Sequence, residues 1–325
     1  GYMSNLGYPF ARKAVAEFIS KEQGVDVTED EVIMTCGAAG ALNVIFKAIL
    51  DLGDEVLCPS PFFVEYRFYA DNHGGLLKTV HTLEDFTLDL EAITAAIGPK
   101  TKAVLLNSPN NPTGQIYSEE SLRTLGNVLR QRSRETGKTI YLIADEPYRK
   151  IVFDGLTVPS VLAAYEESLV ATSYSKDLSI PGERIGFLAV HPRATHKDAL
   201  LGAMGLTNRI LGFVNASALM QRVVASIQGV NVDIRPYAEN RDILCKGLAR
   251  CGYSFVKPAG AFYLFPRSPI PDDAAFVQAL REERILVVPG SGFGGPGHFR
   301  IAFCVERKTI EDALPGFKRA LSKVT

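Results

Sequence analysis

The sequence is short of several things, and each shortage removes a class of function. Its 35 Lys and Arg stand against 36 Asp and Glu, a formal net charge of −1. So close a balance supplies no basic field for nucleic acid or for an anionic membrane surface. No apolar run reaches the roughly 20 residues needed to span a bilayer, so no membrane partner is expected. The five cysteines, Cys36, Cys58, Cys245, Cys251 and Cys304, are scattered, odd in number and without a CxxC pair. That argues against a disulfide framework or a zinc site and for reduced thiols in a cytoplasmic protein. The chain opens at Gly1 with neither an initiator Met nor a signal-peptide pattern. Its own N-terminus is therefore expected further upstream. No internal repeat, low-complexity tract or charge block interrupts it.

What remains is an ordinary globular composition, 46% hydrophobic and 22% charged over 325 residues. That length suits one large domain or two smaller ones. Short apolar strands alternate with helical segments through the first two thirds. Strands are expected at residues 32–35, 55–58, 76–80, 101–106, 139–144, 168–171 and 185–190. Helices are expected over 10–23, 41–50 and 88–97, with another starting within 62–66 and a long one capped by Ser118. This alternation predicts an α/β domain with a mostly parallel sheet, whose ligands gather at the carboxyl ends of the strands. From Lys197 the pattern turns helical, over 195–206, 214–228 and 232–251. Short strands at 254–255, 261–265, 285–288 and 299–303 follow, with helices over 272–283 and 306–321. This reads as a smaller α+β C-terminal domain: residues 1–233 form the large domain and 234–325 the small one.

One stretch organises the rest. Between two strand-like runs lies Ser173-Tyr174-Ser175-Lys176-Asp177-Leu178-Ser179-Ile180-Pro181-Gly182-Glu183-Arg184. A lysine forms Schiff bases with carbonyl compounds once its ammonium is suppressed. Ser173, Ser175 and Arg184 make a phosphate cradle beside it. A Schiff-base lysine next to a phosphate cradle points to pyridoxal phosphate. Two other strand ends deliver polar loops, Asn107-Ser108-Pro109-Asn110-Asn111-Pro112-Thr113-Gly114 and Asp145-Glu146-Pro147-Tyr148. The small residues Gly37-Ala38-Ala39-Gly40 between a strand and a helix leave backbone N–H groups open to an anion. Taken singly, each residue serves equally well as a turn former or a surface ion-pair partner. Their convergence at strand ends is what carries the reading.

Together these motifs resemble the fold-type I, class I/II pyridoxal-phosphate-dependent aminotransferases of the aspartate aminotransferase type. The resemblance rests on Asn111-Pro112-Thr113-Gly114, Asp145-Glu146-Pro147-Tyr148, Ser173-x-Ser175-Lys176, Arg184-Ile185-Gly186 and Phe299-Arg300-Ile301, and runs from Tyr2 to the C-terminus. It implies a seven-stranded, mostly parallel sheet sandwiched by helices. It implies that Lys176 carries the cofactor and shuttles the proton, and that Asp145 pairs with the pyridine nitrogen. Tyr148 and Asn111 would bond the ring's phenolic oxygen. Ser173, Ser175, Arg184 and the amides of Ala38 and Ala39 would hold the phosphate. Phe63 would stack on the ring, and Arg300 would grip the substrate carboxylate. Tyr2 would reach the phosphate of a neighbouring subunit, which implies a homodimer with shared active sites. The family also carries several dozen residues ahead of this point, which cover the substrate. Ala39 departs from the hydroxyl residue that some members have.

The implied reaction moves an amino group from an amino acid to a 2-oxo acid, in ping-pong order. A β-eliminating C–S lyase on the same fold starts with the same proton abstraction, and a ligand-sensing regulator would need an added DNA-binding domain. The sequence leaves the donor open. Phe62, Phe63 and Tyr66 admit an aromatic or aliphatic side chain, and Arg209 lies near where some members place a second arginine.

Overall fold

The computed structural model describes residues 2–324. The chain begins with α1 (Pro9–Gln23), β1 (Val32–Thr35), α2 (Gly37–Ile49) and β2 (Glu55–Ser60). Next come α3 (Glu65–Asp71), β3 (Leu76–His81), α4 (Leu90–Ala96), β4 (Thr101–Asn107) and α5 (Glu119–Thr136). The sheet is completed by β5 (Tyr141–Asp145), β6 (Ser168–Ser173) and β7 (Gly186–Val190), with the short α6 (Val161–Ala164) before β6. Three helices follow, α7 (Lys197–Ile210), α8 (Ala218–Ser226) and α9 (Arg235–Cys251). The chain ends with β8 (Tyr263–Leu264), α10 (Asp273–Glu282), β9 (Val288–Pro289), β10 (Phe299–Ala302) and α11 (Arg307–Val324). No helix among the described residues is long and apolar enough to cross a membrane.

The expected sheet is present. Seven strands run in the order β1-β7-β6-β5-β4-β2-β3. All neighbouring pairs are parallel except the two made by β7, which is antiparallel to β6 and to β1. Because β7 alone is reversed, its first residue lies at the edge where the other strands end. Gly186 pairs with Ser173 on one side and Thr35 on the other, and Asn107 pairs with Asp145. One sheet edge therefore collects the polar ends of β1, β4, β5 and β6.

Both faces of the sheet are covered, which explains why its strands read as continuous apolar runs. Val104, Leu106, Leu142 and Ala144 face one core with α1 and α5. Ala103, Leu105 and Ile143 face the other, with Phe46 of α2, Tyr66 of α3 and Met204 of α7. The alternation along each strand is the period of two that a pleated strand imposes. Each such buried aliphatic side chain contributes roughly 1.5–3 kcal/mol relative to exposure. A third core joins Tyr148, Ile151 and Phe153 to residues of α9, α10, β10 and α11. A second sheet, β8-β10-β9, supplies part of it.

Most departures from the sequence reading lie in the C-terminal third. Residues 254–255 join no strand; their pairing reduces to a bond from Arg267 N–H to the Ser254 carbonyl. The expected strand at 285–288 is displaced to Val288–Pro289, and 261–265 shrinks to Tyr263–Leu264. Such two-residue strands carry no periodicity to read. Helix α2 starts at Gly37 rather than at residue 41. That shift matters, because it places Ala38 and Ala39 in the first helical turn.

Candidate active site

The carboxyl edge of the sheet opens into a cavity of about 330 Å³. That is within the size range of small-ligand pockets. Asn107 braces its floor. Its Nδ2 donates to the Asp145 carbonyl at 2.8 Å, and its Oδ1 accepts from the Asn111 N–H at 2.7 Å. One side chain thus ties the end of β5 to the loop after β4.

Asp145, the last residue of β5, is 5% exposed. Its Oδ2 accepts a 2.5 Å hydrogen bond from the Tyr66 hydroxyl of α3. Its Oδ1 is buried and has no partner. Burial pushes this carboxyl up to about 7. The Tyr66 bond opposes the rise, and the neighbouring Glu146 charge adds to it. A buried carboxylate oxygen left unpaired is costly unless a ligand satisfies it. The loop behind it is held by a 3.0 Å ion pair between Arg149 and Glu146 and by the Gln23 amide on Glu146 at 2.9 Å.

Lys176 stands in the loop after β6. Burial is the main cause that lowers its ammonium pKa. The nearby Cys304 thiol opposes this, while the cations Arg184 and Arg300 lower it further. Its Nζ lies 5.5 Å from the centre of the Phe262 ring. Next to it, Asp177 is anchored from behind by Lys150 at 3.3 Å.

Above Lys176 lies the start of α2. Cys36 offers no side-chain cap there, so the first N–H groups stay unspent and the positive end of the helix dipole faces the cavity. Gly37 has a φ of 73°, and a Cβ on it would come within 3.3 Å of an Arg184 guanidinium nitrogen. Gly186 sits directly beneath, where a Cβ would fall 2.3 Å from the Thr172 carbonyl oxygen. The two glycines bring the helix start against the sheet edge. Ser173 and Ser175, both buried, complete this end of the cavity.

At the other end, Arg300 of β10 donates from Nη1 to Asn111 Oδ1 at 3.0 Å. Its guanidinium carbon lies 4.5 Å from the centre of the Tyr263 ring and 4.7 Å from that of Phe293. Its Nε is buried without a partner. The hydroxyls of Tyr263 and Tyr148 are 3.0 Å apart, and burial raises the pKa of both.

A family model for class I and II aminotransferases matches residues 1–316. The chain belongs to this family. A probable aspartate/prephenate aminotransferase of Thermus aquaticus is 36% identical over 98% of this chain and 83% of its own length. An aspartate aminotransferase of Bacillus subtilis is 31% identical over 99% of this chain and 84% of its own. A solved amino transferase from Eubacterium rectale superposes with a TM-score of 0.97 at 42% identity, covering 99% of this chain and 82% of that one. The Thermus thermophilus aspartate aminotransferase solved with maleate gives 0.88 at 33%, covering 99% and 84%.

The protein is a pyridoxal-phosphate-dependent aminotransferase, acting on an amino acid and a 2-oxo acid. The residues present fit that cofactor. Asp145 Oδ1 awaits a cationic partner, Lys176 has its charge suppressed by burial, and the unspent N–H groups of α2 lie beside Arg184 and the two serines. Ala38, Ala39, Phe63, Asn111, Asp145, Tyr148, Ser173, Ser175, Lys176, Arg184 and Arg300 all line the one cavity. Tyr2 does not; it is fully exposed. Arg209 is exposed on α7 and outside the cavity lining.

Sequence reasoning passed over Asn107, Tyr69, Glu65 and Tyr263 as site residues, and all line the cavity, as does Tyr66, which it had set beside the substrate. What sequence reasoning did not give for Tyr66 is its hydrogen bond to Asp145. Tyr263 sits within an apolar run and shows no signal of its own.

Proposed function

We propose that Lys176, Asp145, Tyr148 and Arg300 divide the work of transamination among them. The observation that carries this is the unpaired Asp145 Oδ1, buried in the same cavity that Lys176 lines. When bound, pyridoxal phosphate supplies the electron sink for the pair left at the substrate Cα. Asp145 keeps a proton on the pyridine nitrogen. Lys176 would hold the cofactor covalently and, as a neutral amine, would serve as the base that moves the proton of the substrate Cα. Tyr148 donates to the ring's phenolic oxygen. Asn111 does the same from Nδ2, since its Oδ1 already accepts from Arg300. Ser173, Ser175, Arg184 and the amides of Ala38 and Ala39 bind the phosphate, and Phe63 covers one face of the ring. Arg300 takes the α-carboxylate with the donors that Asn111 leaves free.

Residues 1–233 act as the cofactor-binding domain and 234–325 as a small domain that brings Arg300 over the substrate. Supporting this, the third core draws most of its residues from Leu244 onward. Two copies share their sites, with Tyr2 serving the phosphate of the neighbouring subunit. In support, Tyr2 lies outside its own cavity, and Phe10, Leu206, Ile210 and Leu219 expose apolar surface. All five cysteines are free, which supports a cytoplasmic location. The names of the relatives support aspartate as a donor.

Borohydride reduction of the loaded protein followed by peptide mapping tests the assignment. The label is expected on Lys176. A Lys176→Ala protein that still takes a full equivalent of label would overturn it. An amino-donor panel with 2-oxoglutarate, run beside it, tests the choice of aspartate.

A further inference from the structure

Tyr263 touches two of the groups to which the proposed mechanism assigns different tasks. It is 8% exposed and arrives on the two-residue strand β8, which pairs with the strand carrying Arg300. Its hydroxyl lies 3.0 Å from the Tyr148 hydroxyl. The face of its ring lies 4.5 Å from the Arg300 guanidinium carbon, with Phe293 on the same guanidinium at 4.7 Å. We infer that Tyr263 is a positioning residue that couples the carboxylate-binding arginine to the hydroxyl donor on the cofactor ring. The inference rests on the roles proposed above for Arg300 and Tyr148.

The physical argument has two halves. Two aromatic faces leave a guanidinium little freedom to turn. With Nη1 already committed to Asn111 and Nε buried, Arg300 presents its remaining donors in one plane. The other half concerns protons. A tyrosine hydroxyl has a single proton to give. If Tyr148 gives its proton to the ring oxygen, the 3.0 Å contact can only be Tyr263 donating to Tyr148. A hydroxyl that accepts one hydrogen bond donates a stronger one. Tyr263 therefore strengthens the bond on the ring oxygen without touching the cofactor. Arg300, Asn111, Tyr148 and Tyr263 thus form a circuit, and a carboxylate arriving at one end is felt at the ring through both tyrosine and asparagine.

Two substitutions separate the halves. Tyr263→Phe keeps the ring and removes the hydroxyl. In the loaded enzyme it should raise the pH midpoint of the cofactor's visible absorbance by roughly half a unit to one unit, the size expected for one weakened hydrogen bond. It should leave the Kd of a non-reacting carboxylate such as maleate within about twofold. Tyr263→Leu removes the platform as well. It should show the same spectral change and also weaken maleate roughly threefold to tenfold, the range of a partly desolvated cation–π contact. Far-UV circular dichroism checks that both variants fold. An unmoved absorbance midpoint in folded Tyr263→Phe, or unchanged maleate binding in folded Tyr263→Leu, overturns the inference. Arg300→Lys is the control. If it too leaves maleate binding unchanged, the carboxylate assignment itself has failed. If it weakens binding while the Tyr263 variants do nothing, only the coupling is wrong.

Discussion

Asp145→Asn in the cofactor-free protein turns the geometry of one oxygen into a number. Asp145 has an ordinary value of 3.8 and is raised to about 7, mainly by burial, with the Tyr66 bond opposing the rise and the Glu146 charge adding to it; its Oδ1 has no partner. The folded state therefore holds a proton that the unfolded chain has already lost. Between about pH 4 and 7 the native state binds more protons, so stability falls as pH rises. Each pH unit over which the native state holds one extra proton changes stability by about 1.36 kcal/mol. From pH 5 to 8 only the two units or so below the folded midpoint act, so the expected loss is roughly 3 kcal/mol. Asparagine can still accept from Tyr66 but carries no titrating proton. Any cost of its own misfit is independent of pH. Other titrating groups, Glu146 and Lys176 among them, are common to both proteins and largely cancel in the difference. The assay is urea unfolding of the two apoproteins at pH steps from 5 to 8. It is followed by far-UV circular dichroism, since the chain contains no tryptophan. The stability of Asp145→Asn minus that of the parent should grow with pH by roughly 3 kcal/mol over that range. A constant difference, or one that shrinks with pH, would falsify the claim that Asp145 sits buried and unpaired. Loading the parent with pyridoxal phosphate should abolish the trend, because a cation opposite Oδ1 favours the ionised form.

Arg300→Lys should keep the cofactor spectrum and lose roughly tenfold or more in kcat/KM for every amino donor, since charge-assisted bonds of this kind are worth about 1.5–3 kcal/mol and lysine lacks the planar fork. Steady-state kinetics with aspartate, an aromatic and an aliphatic donor check it; sparing of any one class would sink the α-carboxylate role. Gly37→Ala should weaken cofactor affinity severalfold while leaving the fold intact, because its φ of 73° disfavours a side chain and the added methyl presses on Arg184. Titration of the apoprotein with pyridoxal phosphate, read by absorbance, tests this, and an unchanged Kd would count against a phosphate site at the start of α2.

Where the sequence is legible, it is legible through period and punctuation. Buried parallel strands read as short apolar runs, and each ends in a polar loop that can be named. Periodicity alone puts the Lys176, Asp145 and Asn111 loops at strand ends, and they do line one cavity. The small second sheet is poorly legible, because strands as short as Tyr263–Leu264 and Val288–Pro289 are made by their partners and not by local preference.

Sequence alone determined the order of the elements, the class of the fold and the residue types able to form a Schiff base, pair with a pyridinium and hold a phosphate. Those depend on local periodicity and on chemistry that each side chain carries by itself. It could not determine which donors are already spent. Tertiary structure decided that Asp145 has one oxygen satisfied by Tyr66 and one left open, and that Arg300 has given Nη1 to Asn111. It also decided that Tyr263, buried in an apolar run, meets both Arg300 and Tyr148. Hydrogen-bond satisfaction and burial are properties of the neighbours a residue acquires on folding. Asp145 and Tyr66 are far apart in the chain, and no pattern along it records that they meet.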